Sequence, residues 1–207
     1  MSVALFSTAY FPPLAYVATL MRYDSVAVEY KETFPKQTYR NRMLILTAGG
    51  VRPLTVPVVR ENHSRTDEVT IDYHTRWNIV HLRTLVAAYA ASPYFLFYKD
   101  ELESLLTTHY SRLVDLNRAI MEWMLRKMKI ECVMNETTDY QPDAAVPDDY
   151  RTAFSPKHPF DESSFPAYYQ VFADRLPFVP NLSALDLMMN MGPEARGYLE
   201  KLQGKTI

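Results

Sequence analysis

Two β-prone apolar runs enclose a proline-broken elbow and one helical face within residues 3–29, and that order leaves few folds open. Val3 to Thr8 reads as a buried strand. Tyr10-Phe11-Pro12-Pro13 breaks it, and Pro13 suits the first turn of a helix, where its missing N–H forfeits no bond. Leu14, Val17, Ala18 and Met21 then fall on one helical face. Asp24-Ser25 interrupts, and Val26 to Glu29 reads as a second strand. Strand, helix and strand in this order predict a parallel pair with a right-handed crossover. In such sheets, ligands bind outside the carboxyl ends of the strands.

Further along, Met43 to Thr47 and Leu54 to Val59 are β-rich and flank Ala48-Gly49-Gly50-Val51-Arg52-Pro53, a hairpin signal. Glu68 to Asp72 suits one more short strand. The middle is helical. Trp77 to Ala90 carries Ile79, Leu82, Val86 and Tyr89 on one stripe and Trp77, His81, Thr84 and Ala88 on its neighbour. Ser92-Pro93 stops that helix and starts the next, from Tyr94 to Thr107. A third, from about Arg112 to Lys129, buries Leu113, Leu116, Ile120, Trp123 and Met124 and ends in cations that suit its negative pole. Ile130 to Met134 is a candidate strand. Half of the fourteen prolines lie between Asn135 and Pro180, so residues 135–180 are expected to be irregular, anchored by Tyr150, Phe154, Phe160, Tyr168 and Phe172. Ser183 to Met191 and Gly192 to about Gln203 are short helices. The expected fold class is α/β, in one domain spanning 1–207: a βαβ start within a mixed sheet, a β-hairpin, a central helical segment and a Pro-rich irregular C-terminal segment.

Composition removes some function classes. A chain of 207 residues buries roughly 70% of its extended surface on folding. Net charge −2 and a pI near 6.2 argue against a nucleic-acid binder, which is normally basic. Cys132 is the only cysteine, so no internal disulfide forms. The opening residues lack the basic flank and apolar core of a signal peptide, and no apolar run suits a membrane span. The expectation is a cytoplasmic protein without membrane insertion or nucleic-acid partner; the sequence is silent on oligomeric state.

Candidate chemistry starts in the loop Lys31 to Arg42, where Lys36, Arg40 and Arg42 crowd around Asn41 and Tyr39. Guanidinium forks grip phosphates and carboxylates bidentately; the alternative is a solvated charged turn. Tyr10 belongs on the rim of that loop if the βαβ reading holds. His81 follows Trp77 by one helical turn and can line a pocket as a proton shuttle, with His74 as second choice; the alternative is a half-buried structural histidine. Asn181 and Ser183 suit helix capping, and act on a ligand only if that helix end faces the cationic loop. No spacing of His, Cys or Asp suggests a metal, and the glycine motifs that cradle phosphates are absent, so no cofactor is expected.

Several of these strings together resemble the WbqC-like family. They are Tyr10-Phe11-Pro12, Arg40-Asn41-Arg42 before a turn glycine, Leu54-Thr55-Val56-Pro57-Val58, Trp77 with His81, Ala88-Tyr89 and Pro93-Tyr94-Phe95. Leu116-Asn117 and Pro180-Asn181-Leu182-Ser183 continue the likeness, with Asp186 and Gly192 at its end. The acidic residue that follows the second strand in the family is Glu29 or Glu32 here, and the stretch Asn135 to Ala167 matches poorly. The resemblance implies a bacterial or archaeal protein of O-antigen or other surface-polysaccharide synthesis, a transferase placing an acyl or aminoacyl group on an amino sugar. On that reading Lys36, Arg40 and Arg42 hold the anionic part of a small-molecule substrate, a nucleotide sugar or acyl donor. Tyr10 and Trp77 stack on it, and His81 or His74 takes a proton. The alternative is a non-enzymatic ligand-binding or scaffold protein in a polysaccharide-synthesis complex, docking through its Phe154–Phe172 aromatics.

Overall fold

The structure is a computed structural model that describes residues 4–142, 148–157 and 160–202. Val3 and Gln203, two of the expected element bounds, lie outside the described residues. Strand β1 (Ala4–Ser7) is buried along its whole length, and helix α1 (Leu14–Leu20) returns the chain to β2 (Ser25–Glu29). The two strands are parallel, with Ala4 opposite Val26 and Ser7 opposite Glu29. Tyr16 of α1 donates from its hydroxyl to the Ser7 carbonyl at 2.8 Å, which fixes the helix on the strand it covers. The expected βαβ start is therefore present.

The sheet itself is not mixed. Its third strand, β7 (Val133–Glu136), runs parallel to β2, and the order is β1-β2-β7. The hairpin of β3 (Arg42–Thr47) and β4 (Gly50–Thr55) forms its own antiparallel ladder. Its strands are closed off from the sheet for an identifiable reason. The Leu44 carbonyl of β3 accepts from the Ser183 amide at 2.9 Å, so its pairing capacity goes to the C-terminal half of the chain. On β4, Pro53 offers no N–H to another strand, as befits an edge. The turn is tighter than expected: Thr47 faces Gly50, whose φ of 96° requires glycine. The strand expected across 54–59 divides, and Val58–Val59 (β5) pairs instead with Thr70–Ile71 (β6).

Helices α2 (Trp77–Tyr89), α3 (Phe95–Thr107) and α4 (Leu113–Met128) fall close to their predicted bounds. Helix α4 ends with Lys129 in the left-handed region, where the Ile130 amide reaches back to the Leu125 carbonyl at 2.9 Å. Ile130 is thus the buried apolar contact of a helix stop, and β7 begins three residues later than its run of apolar residues suggests.

The described parts of the Pro-rich segment are irregular but fastened. Leu5 of β1 donates to the Asp148 carbonyl at 2.9 Å and accepts from the Tyr150 amide at 2.8 Å, so residues 148–150 cover the outer edge of the sheet. Tyr150 and Phe154 pack on Phe6. Helix α5 (Ala184–Met191) passes through one 3-10 turn, Gly192–Glu194, into α6 (Ala195–Leu202). The chain before α5 clasps the elbow before α1: Leu14 donates to the Leu182 carbonyl, and Ala184 to that of Pro12. Phe11 is held between them at φ 44°, a left-handed conformation that an aromatic residue adopts only under constraint.

Candidate site at the carboxyl edge of the parallel sheet

All three parallel strands end on one side, at Ser7, Glu29 and Glu136, and a buried ionic network gathers there. Glu29 is fully buried. It accepts from the Thr137 hydroxyl at 2.8 Å and from the Lys31 and Gln141 amides at 2.7 and 3.1 Å, and Arg151 lies 3.7 Å away. Arg40, 4% exposed, grips Glu32 bidentately at 2.7 and 2.8 Å and donates to the Arg151 carbonyl. Burial pushes the Glu32 carboxyl up, against the opposing pull of Arg40. The expectation that Arg40 waits for an external anion is corrected here. A buried guanidinium needs a resident partner, and this one joins the 31–42 loop to the 149–151 segment.

A narrow crevice of about 10 Å³, room for no more than one water, lies at the same edge. Thr8, Tyr30, Asn117, Arg118 and Met121 line it. Asn117, 1% exposed, donates from its side-chain nitrogen to the Arg40 carbonyl at 2.8 Å and to the Thr8 hydroxyl at 3.1 Å. Its side-chain oxygen has no partner among the described residues. Arg118, the next residue of α4, pairs with Glu136 and stands over the Tyr30 ring, 5.8 Å from its centroid. Burial raises the Tyr30 hydroxyl pKa, with Arg118 opposing. Residue-by-residue reading passed over Thr8, Tyr30, Asn117, Arg118 and Glu136 as site residues. One signal was present: Asn117 is polar beside the buried stripe of Leu113, Leu116 and Ile120.

The predicted trio of Tyr10, Trp77 and His81 does come together. The Tyr10 hydroxyl lies 2.9 Å from His81 Nδ1, and the Trp77 ring sits 5.1 Å from the His81 ring. All three are buried, with Tyr10 at 0% exposure, so they form a wall and not the rim of an open pocket. Burial lowers the His81 pKa to about 4, despite a supporting hydrogen bond to the Thr55 main chain, and Arg52 lowers it further. Burial also holds the Tyr10 hydroxyl far above its ordinary value. A neutral imidazole therefore accepts from Tyr10 and donates toward Thr55.

The remaining candidates make their own contacts, and Arg42 shares Thr55 with His81. Arg42 opens β3 and points its Nε at the Thr55 hydroxyl, 3.2 Å away. Asn41 exchanges hydrogen bonds with Val56 across the hairpin. Lys36 is exposed. Asn181 caps α1 by accepting from the Ala15 amide at 2.9 Å, and Ser183 caps α5 through the Leu185 amide. His74 lies in a different, open groove of about 470 Å³ with Tyr73 and His109, its Nδ1 2.6 Å from Asp72. Among the described residues no group of three or more His, Cys, Asp or Glu is placed to hold a metal. Burial pushes the Cys132 thiol up to about 11, which leaves it unreactive at neutral pH. No helix among the described residues is long and apolar enough to cross a membrane.

With strands, crevice and elbow placed, sequence comparison supplies the class. The profile of the WbqC-like protein family matches residues 8–153, and the chain belongs to that family. The match runs from the elbow through α4 and β7 into the Pro-rich stretch. The chain is also similar to the uncharacterized protein Rv1507c of Mycobacterium tuberculosis, 27% identical over 220 aligned positions that cover 92% of this chain and 91% of the relative. No solved structure matches the chain.

Proposed function

We propose that this protein is a transferase of surface-polysaccharide synthesis that binds an amino sugar or activated sugar over the carboxyl edge of β1-β2-β7 and receives an acyl, aminoacyl or sugar group there. The single observation that carries the reading is the unanswered acceptor of Asn117, buried in the wall of a crevice where parallel strands end and a cation stands. Family membership supports the polysaccharide context. Lys36 and Arg42 keep their charges toward water and attract the donor's phosphate or carboxylate. Arg40, Tyr10, Trp77 and His81 act one layer behind, holding the loop and elbow in place. His74 belongs to neither layer.

A thermal-shift screen against nucleotide sugars, acyl-CoA compounds and aminoacyl donors tests this, because a ligand that binds only the native state raises its melting temperature. The expected result is stabilisation by one class, weakened several-fold in Arg118→Ala and less so in Arg42→Ala. Stabilisation that ignores Arg118 would refute the placement.

A second reading, a scaffold in a synthesis complex, has one observation in its favour. Leu96 and Phe97 on α3 are 78% and 76% exposed side by side, an apolar step where a partner can dock. The aromatics from Phe154 to Phe172 support it less, since Phe165 is buried and Phe154 packs on Phe6.

A further inference from the structure

Arg118 lines the crevice with a half-exposed side chain, whereas Asn117 and Thr8, which also line it, are buried. The Arg118 guanidinium pairs with Glu136, the last residue of β7, and rests against Tyr30. Side-chain exposures of 38% and 51% keep that ion pair in contact with water, so it is weak and readily exchanged for another oxyanion. The crevice beside the pair holds about 10 Å³, so a substrate group enters it only if a lining side chain such as Arg118 moves.

We infer that Glu136 occupies, in the unliganded protein, the place an anionic substrate takes on Arg118, and that this substrate carries a hydrogen-bond donor for Asn117 beside its anionic group. The inference rests on the carboxyl-edge reading above and adds the ligand's chemistry to it. A carboxylate and a phosphate meet a guanidinium in the same forked geometry, so one can replace the other with little loss. The displaced Glu136 carboxylate returns to water, where it already half resides. The Asn117 oxygen gains the donor it lacks, which removes an uncompensated buried acceptor. Val28, Met121 and Met134 supply apolar walls beside the buried Tyr30 ring. An amine next to a phosphate, as in an amino-sugar phosphate, satisfies both ends of the site.

The test is calorimetric titration of inorganic phosphate, glucosamine 1-phosphate and 2-deoxyglucose 1-phosphate into the wild type, Glu136→Gln, Arg118→Gln and the double variant. Both side chains are half exposed, so these variants keep their fold, and their melting temperatures verify it. Removing the competing carboxylate should tighten phosphate binding about tenfold in Glu136→Gln, and the gain should vanish in the double variant. Glucosamine 1-phosphate should bind more tightly than its 2-deoxy counterpart, which lacks the donor next to the phosphate. Unchanged or weaker phosphate binding in Glu136→Gln overturns the masking role. Equal affinity for the two sugar phosphates overturns the Asn117 assignment. Binding that survives in full in Arg118→Gln overturns the carboxyl-edge site itself, so failure of the refinement and failure of its premise give different results.

Discussion

Asn117 presents two N–H groups and one carbonyl oxygen to a buried setting, and among the described residues only the N–H groups are answered. His81 poses the opposite case, a titratable ring whose contacts favour its neutral form. The folded state refuses a proton that the unfolded chain accepts, so stability is lost as pH falls from the ordinary 6.5 toward about 4. The loss between about pH 7.5 and about pH 4.5 should be on the order of 2–3 kcal/mol. Urea melts at both pH values check this, and His81→Gln should flatten the difference. Asp186 works with the other sign. Burial raises its pKa, although Tyr168, Tyr89 and Gln170 favour the anion. Its folded form keeps a proton longer than the unfolded chain does, so stability falls as pH rises through the folded value. Asp186→Asn should remove that fall, leaving melting temperature at neutral pH equal or higher. Sequence revealed that Tyr10, Trp77 and His81 could meet, because Trp77 and His81 sit one helical turn apart. It did not reveal their burial, since spacing shows which residues share a face and not what covers it. Arg40 was misjudged for a similar reason: its loop carries both charge signs, and only the folded chain shows Glu32 within 2.7 Å.

Elements repeat the point where local rules compete. Ile130 satisfies a strand pattern and a helix-stop contact equally well, and the left-handed Lys129 before it decides the matter. Lysine carries a steric penalty in that conformation which glycine escapes. Lys129→Gly should therefore raise stability by about 0.5–1 kcal/mol in chemical denaturation. Helices were legible because three long apolar stripes lay between clear stops. Pairing of the hairpin was not, because its competitor for β3 is Ser183, far along the chain. The 31–42 loop and the 149–151 segment depend on one another through Arg40. Glu32→Ala leaves that buried guanidinium without its carboxylate and should cost about 3–5 kcal/mol. Proteolysis near Arg151 should quicken in the same variant.

Across the molecule, the buried ionic network sits at one end of the parallel sheet. The carboxyl ends of the strands meet Glu29, Glu32, Arg40, Asn117, Arg118 and Arg151. The amino end of β7 adjoins an open hollow of about 560 Å³ beside Cys132, where no comparable network forms. The βαβ start, visible in thirty residues of sequence, fixed which end that would be; the identity of the groups collected there came from three separate stretches of chain and needed coordinates. Hydrogen exchange with and without a stabilising nucleotide sugar discriminates between surfaces. New protection is expected in the amides of residues 8–11, 30–32, 117–118 and 136–138. Protection confined to the groove of Tyr73, His74 and His109, or to the Leu96–Phe97 face of α3, would contradict a substrate site at the sheet's carboxyl edge.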